Sequence, residues 1–169
     1  RLFWEADSGA TAYGTIGVMT ETRDGGTREG RTVPDGSFFP QNQDTTRLDG
    51  GFKVEAPLSD VLTAQVRGSF MTQDHDHRFG SLLEIDQHDS TLLEASVAGQ
   101  HGGTNWVAGL AIQSETYASE TFPAFDYDYD VPGLFGQIDH DLRTDLSVSL
   151  SGRLDDHSEF GTQFSPRVS

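Results

Sequence analysis

From Leu146 to Leu154 the even positions are Leu146, Val148, Leu150, Gly152 and Leu154, and the odd positions are Ser147, Ser149, Ser151 and Arg153. Successive side chains of an extended backbone point to opposite faces, so this order gives one apolar and one polar face. It predicts a strand and excludes an amphipathic helix, whose apolar residues recur every third or fourth position. The same alternation recurs along the chain. Leu62, Ala64, Val66, Gly68 and Phe70 oppose Thr63, Gln65, Arg67 and Ser69. Leu48, Gly50, Phe52, Val54 and Ala56 oppose Arg47, Asp49, Gly51, Lys53 and Glu55. Trp106, Ala108, Leu110 and Ile112 oppose Asn105, Val107, Gly109, Ala111 and Gln113. Leu134, Gly136, Ile138 and Leu142 share a face with His140, against Gln137, Asp139 and Asp141. Leu93, Ala95 and Val97 oppose Glu94 and Ser96, and weaker runs cover Leu2 to Ala6 and Ala12 to Arg23. The expectation is an all-β chain of about nine strands, each near the ~10 residues of a tilted membrane strand.

The connections alternate in kind. Tight turns are expected at Asp7-Ser8-Gly9, Pro57-Leu58-Ser59-Asp60, His101-Gly102-Gly103 and Arg143-Thr144-Asp145, where Gly, Asp, Ser and Pro supply turn geometry. Between them, polar links are expected over Asp24 to Asp44, Asp74 to Asp89, Ala118 to Asp130 and His157 to Gly161. One end of the sheet is thus trimmed and the other decorated. That asymmetry is shown by outer-membrane barrels, with short periplasmic turns and long external loops.

Composition narrows the classes. Eleven Lys plus Arg stand against 27 Asp plus Glu, a net charge of −16, which argues against nucleic acid as a partner. With no Cys there is no disulfide framework, thiolate metal site or thiol nucleophile. No apolar run is long enough for a transmembrane helix, although membrane strands need only alternate. The chain begins at Arg1, without Met or a signal-like segment, and stops at Ser169 in an extended run. The expectation is a piece of a longer protein, residues 1–169 being part of a single barrel domain. An antiparallel hairpin meander of odd strand number cannot close on itself, so nine strands would leave two bare edges.

A secreted soluble β-sheet domain that binds a ligand is the alternative. Against it, the alternating runs are longer than the 5–6 residues usual for a strand. The apolar faces mix Gly and Ala with large side chains, which suits fluid lipid better than a packed core. The polar faces carry dense charge, as in Arg47, Asp49, Lys53 and Glu55.

The run YDYDVPGLFGQIDHDLRTDLSVSLSGRLDDHSEFGTQFSPRVS, from Tyr127 to Ser169, resembles the barrel of TonB-dependent outer-membrane receptors. An aromatic and Gln strand start (PGLFGQ) leads to a tight turn, an Arg-Leu-Asp strand end (SGRLDDHSEFG) and a strand opening FSPR. Upstream, GTIGVMTETRDGGT and DTTRLDGGF are similar to mid-barrel strands of that family. The resemblance implies an up-and-down antiparallel transmembrane barrel of 22 strands around an N-terminal plug, in the outer membrane of a Gram-negative cell. It implies energised uptake of a scarce, bulky nutrient such as a ferric siderophore, cobalamin or an oligosaccharide, with a ferric siderophore leading. The implied partners are the inner-membrane TonB complex, outer-membrane lipid and lipopolysaccharide. Neither plug nor TonB box occurs in these residues. A passive porin, lacking a plug, is the second membrane reading.

No catalytic set stands out. The Gly-x-Ser-x-Gly elbow is absent, Asp24 to Arg31 lacks the Gly-Lys-Ser/Thr of a phosphate loop, and no enzyme or cofactor is expected. His75-Asp76-His77 is expected as a solvated loop tip, with divalent metal binding the minor alternative. Phe125-Asp126-Tyr127-Asp128-Tyr129-Asp130 is expected as an aromatic girdle at the membrane interface, with Ca²⁺ binding or ligand contact as alternatives; no metal site is assigned. The expected ligand contacts are Arg28 and Arg31 in the glycine-rich link, together with Arg23, suited to an anion. On the lumen-facing side they are Arg47, Arg67, Gln113, Gln137 and Arg153, with Lys53 and Gln65 beside them.

Overall fold

The alternating runs pair edge to edge into one sheet. The computed structural model describes residues 1–27, 31, 34 and 36–169. Its strands are β1 (Leu2–Glu5), β2 (Thr11–Gly26), β3 (Pro40–Ser59), β4 (Leu62–Phe79), β5 (Leu82–His101), β6 (Thr104–Ser119), β7 (Tyr127–Arg143), β8 (Leu146–His157) and β9 (Gly161–Val168). Each pairs antiparallel with its sequence neighbours, in the order β1 to β9, and the sheet is not closed.

Strand number and faces agree with the alternation; strand length does not. β3 and β5 each run 20 residues and β4 runs 18. The link expected over Asp74 to Asp89 is a hairpin, with β4 and β5 paired from Leu62↔Gly99 to Phe79↔Leu82. Only Gly80 and Ser81 lie between the two strands. Gly80 has φ near +59°, in the left-handed region that a tight turn needs and glycine adopts freely. Similarly, Tyr127 onward is strand rather than link, and a short 3-10 turn (Pro123–Phe125) precedes it. These segments carry polar residues on both faces, which erases alternation without disturbing backbone pairing.

Register places every alternating run on a common face. The row Ala12–Val54–Val66–Ala95–Leu110–Leu134–Leu154–Phe164 crosses eight strands, all apolar. Six residues along β2, Val18 and Leu48 begin a row that turns polar at Thr72, Asp89, Thr116 and Asp128. The upper edge of the apolar band therefore runs obliquely. It passes from Val18 on β2 through Leu48, Phe70, Leu93 and Ile112 to Leu154 on β8. The lower edge moves the same way, from Ala12 on β2 to Val148 on β8.

The slope has a scale. The upper edge slips six residues, about 20 Å at ~3.3 Å per residue, while crossing six strand spacings of ~4.8 Å, about 29 Å. That is a tilt of about 35° between the strands and the normal to the band, within the range of β-barrels. On β3 the band covers Leu48 to Ala56, about 26 Å along the strand and about 22 Å once tilted, close to the ~25 Å apolar belt of outer-membrane barrels.

Small residues in this band have a packing reason as well. The ring of Phe52 lies over its cross-strand partner Gly68, and the ring of Phe70 over Gly50, two rows away on the same face. A Cβ at either glycine would meet the facing ring at 2.7 Å, closer than van der Waals contact allows. Each ring thus fills the space its partner leaves.

Candidate functional site on the polar face

Opposite the apolar band, Arg47, Lys53, Arg67, Gln113, Gln137 and Arg153 share the other face, as the alternation predicts. All seven ion pairs among the described residues also lie there. Arg23 pairs Glu21 at 2.9 Å, Arg47 pairs Asp49 at 3.1 Å, Lys53 pairs Glu55 at 2.9 Å and Arg153 pairs Asp155 at 2.7 Å. In each, the partners are two residues apart on one strand and so share its face. Arg67 pairs Glu94 across strands at 2.9 Å, His75 pairs Asp86 at 3.1 Å and His88 faces Glu115 at 3.8 Å. Arg67 is bidentate: Nε lies against one Glu94 oxygen and Nη2 donates to the other. The Arg47 Nε group is within ion-pair distance of Asp49 but makes no hydrogen bond.

The expected contact residues on the strands are thus already engaged within the sheet. Gln113 donates to Glu115 at 2.7 Å and Gln137 to Asp139 at 2.9 Å. Arg67, Gln137 and Arg153 come together around Phe135, lining one shallow hollow with Glu94. Arg47 and Gln113 stand outside that hollow. Arg31 is exposed and lies outside the strands, and Arg28 lies outside the described residues.

Beyond the apolar band, towards the Gly80 turn, the sidedness inverts. The even-numbered positions on β3, β4, β7 and β8, which carry the apolar band lower down, now place Asp44, Asp74, Asp76, Asp128, Asp130 and Asp156 on that face. The other face becomes aromatic. Tyr117 stacks on Tyr127 with ring centroids 5.6 Å apart, Tyr127 on Tyr129 at 5.5 Å, and Tyr129 meets His157 at 4.6 Å. His157 in turn meets Phe160 at 4.6 Å. On β4, His75, His77 and Phe79 form a second ladder, with centroids 5.5 Å and 3.7 Å apart.

This differs from the aromatic girdle expected at the membrane interface. Tyr127 and Tyr129 share the face of Gln137 and Glu115, and it is Asp128 and Asp130 that share the face of Leu134. Strand parity, counted back from Leu134, carries that signal in the sequence. Two of these carboxylates have partners within the protein. Asp126 accepts the backbone N–H of Ser119 at 2.7 Å, Ser114 donates to Asp130, and the described residues hold no group of three His, Asp or Glu side chains fit for a metal. His75 and His77 follow the same rule: they share a face while Asp76 takes the other, and no third ligand joins them among the described residues.

Glu115 is the hub the sequence reading missed. One of its carboxylate oxygens accepts from Gln113, the other from the Tyr129 hydroxyl at 2.6 Å. This fixes the tyrosine ladder against β6. No family model matches the chain, and none of the curated proteins compared with it matches.

Proposed function

We propose that this sheet is part of the wall of an outer-membrane β-barrel receptor, its apolar band against lipid and its charged face lining the lumen. The observation that carries the reading is the oblique band. A soluble sandwich needs no apolar belt sloping about 35° across the seven strands from β2 to β8, whereas strands tilted through a bilayer require one. Placement of every ion pair of the described residues on the opposite face adds support, since a charge facing hydrocarbon costs several kcal/mol. The bare edges at β1 and β9 carry unpaired backbone groups that further strands of a closed barrel would satisfy.

Energised uptake of a bulky nutrient, with the TonB complex as partner, is supported by the likeness of Tyr127 to Ser169 to that receptor family. The reading as a passive porin differs by the presence of an open pore. The chain has two tryptophans, Trp4 and Trp106, both on the apolar face near its short-turn edge. Folded into vesicles of bromine-labelled phosphatidylcholine, with any tryptophan outside residues 1–169 replaced by phenylalanine, the full-length protein is expected to lose most of its tryptophan fluorescence. Unquenched tryptophans in a protein that stays monomeric in buffer would leave the soluble-domain reading standing. A steady single-channel conductance from the intact protein would favour the porin.

A further inference from the structure

Two imidazole–carboxylate pairs stand on the upper polar face, and they differ. His75 Nδ1 lies 3.1 Å from Asp86 Oδ2, a made hydrogen bond. His88 Nε2 stops 3.8 Å from Glu115 Oε2, beyond hydrogen-bond length, and this nitrogen is buried with no hydrogen-bond partner. The same Oε2 accepts the Tyr129 hydroxyl at 2.6 Å, while Oε1 accepts from Gln113. The other groups around His88 are placed by the register. On β4 it stands across from Gln73, next to His75, and beyond Gln73 comes Arg47 of β3, within ion-pair distance of Asp49. On β6 its partner is Tyr117, next to Glu115. Along β5 itself Asp86 is held by His75, and Glu84 faces His77. Among the described residues, Glu115 is thus the carboxylate within ion-pair distance of His88.

From this open pair beside a closed one we infer that His88 and Glu115 form a clamp across β5, β6 and β7 that closes in acid. Histidine is the side chain that gains charge between about pH 8 and pH 5. An imidazolium carries a proton on both ring nitrogens, so Nε2 becomes a donor, and a buried donor left bare is costly. Glu115 Oε2 is the acceptor at hand, and closing a gap of about 1 Å makes a charge-assisted bond. A carboxylate oxygen has lone pairs for two donors, so the Tyr129 bond is kept. One oxygen then ties β5 to β7 through β6. The ladder of Tyr117, Tyr127, Tyr129 and His157 is anchored to β5 as well as β6 in acid, and to β6 alone above it. The clamp follows from the strand register and does not depend on the barrel reading.

The test is a double-mutant cycle in the full-length protein folded into vesicles. His88→Gln, Glu115→Gln and the double variant are unfolded by denaturant beside the wild type at about pH 5.5, where an ordinary carboxylate is still ionised, and at about pH 8. The coupling between the two residues is expected to be at least about fivefold in the folding equilibrium constant in acid, and less than about twofold at the higher pH. His75, His77 and His157 titrate in all four proteins and cancel from the cycle. Should a glutamine variant fail to fold, His88→Asn or Glu115→Ala takes its place. Hydrogen exchange reads the clamp without global unfolding. After correction for the intrinsic rate, the amides of residues 127–131 are expected to be at least about threefold better protected in acid in the wild type, and equally protected at both pH values in His88→Gln. Coupling that is the same at both pH values overturns the inference, and so does a gain in protection that survives His88→Gln. Tryptophan quenching in the bromine-labelled vesicles reports on the barrel reading separately, and a protein that fails it is put through the same cycle in buffer.

Discussion

The lower and upper halves of the same strands make opposite use of the same backbone. In the lower half, even-numbered positions of β3, β4, β7 and β8 hold Phe52, Val66, Leu134 and Leu150, and odd-numbered ones hold Lys53, Arg67, Gln137 and Arg153. In the upper half the even positions turn acidic, with Asp44, Asp76 and Asp128, and the odd ones aromatic, with His77, Phe79 and Tyr129. Ladder pairing continues unbroken from one half to the other. What changes is the medium each face is suited to, and the switch occurs along a single oblique line. A β-strand fixes which residues share a face; the residues alone decide what that face can touch.

The largest effect should come from placing a charge on either side of that line. Leu110→Arg, in the middle of the band, is expected to cost about 2–4 kcal/mol, and Thr116→Arg, on the same face but above the line, about 0–1 kcal/mol. Denaturant unfolding of the vesicle-folded protein measures both, and equal costs would mean that the line does not mark a membrane boundary.

The ring-and-glycine pairs sharpen the lower half. Gly68→Val places a branched side chain where the Phe52 ring lies and should cost about 1–3 kcal/mol. Much of that loss should return in the double variant with Phe52→Ala, and a strictly additive double variant would show that the ring is not what crowds the site.

The third contrast concerns the ion pairs. The Glu94 side chain is only 11% exposed, so Arg67→Ala should strand its carboxylate and cost about 1–3 kcal/mol. The Arg23 side chain is 64% exposed beside Glu21, and Arg23→Ala should change stability by no more than about 0.5 kcal/mol. The same unfolding measurement reads both; equal costs would mean the polar face is uniformly wet.

Much of the lower half was legible because its two faces differ. Runs such as Leu48 to Ala56 declare strand, face and partner side at once, and pairs such as Arg47–Asp49 and Arg153–Asp155 follow from parity on one strand. The upper half was misread as loop because Asp74 to Asp89 mixes polar and apolar residues on both faces, so alternation vanishes while the ladder runs on. Cross-strand partners are harder still. Arg67 and Glu94 are 27 positions apart, and only the β4–β5 register brings them together. Alternation put Arg47, Arg67, Gln113, Gln137 and Arg153 on one shared face, as the register does, but a sequence lists its arginines without their partners, and so made engaged groups look available.

The crossed pairs Phe52 with Gly68 and Phe70 with Gly50 also bear on how such a chain can vary over generations. Enlarging either glycine collides with a ring already in place, and trimming either ring opens a gap above a residue that has nothing to fill it. Each change is harmful until its counterpart arrives. Four positions spread over two strands are therefore inherited as two couples, and in a lineage of such sequences they should be seen to change together or not at all.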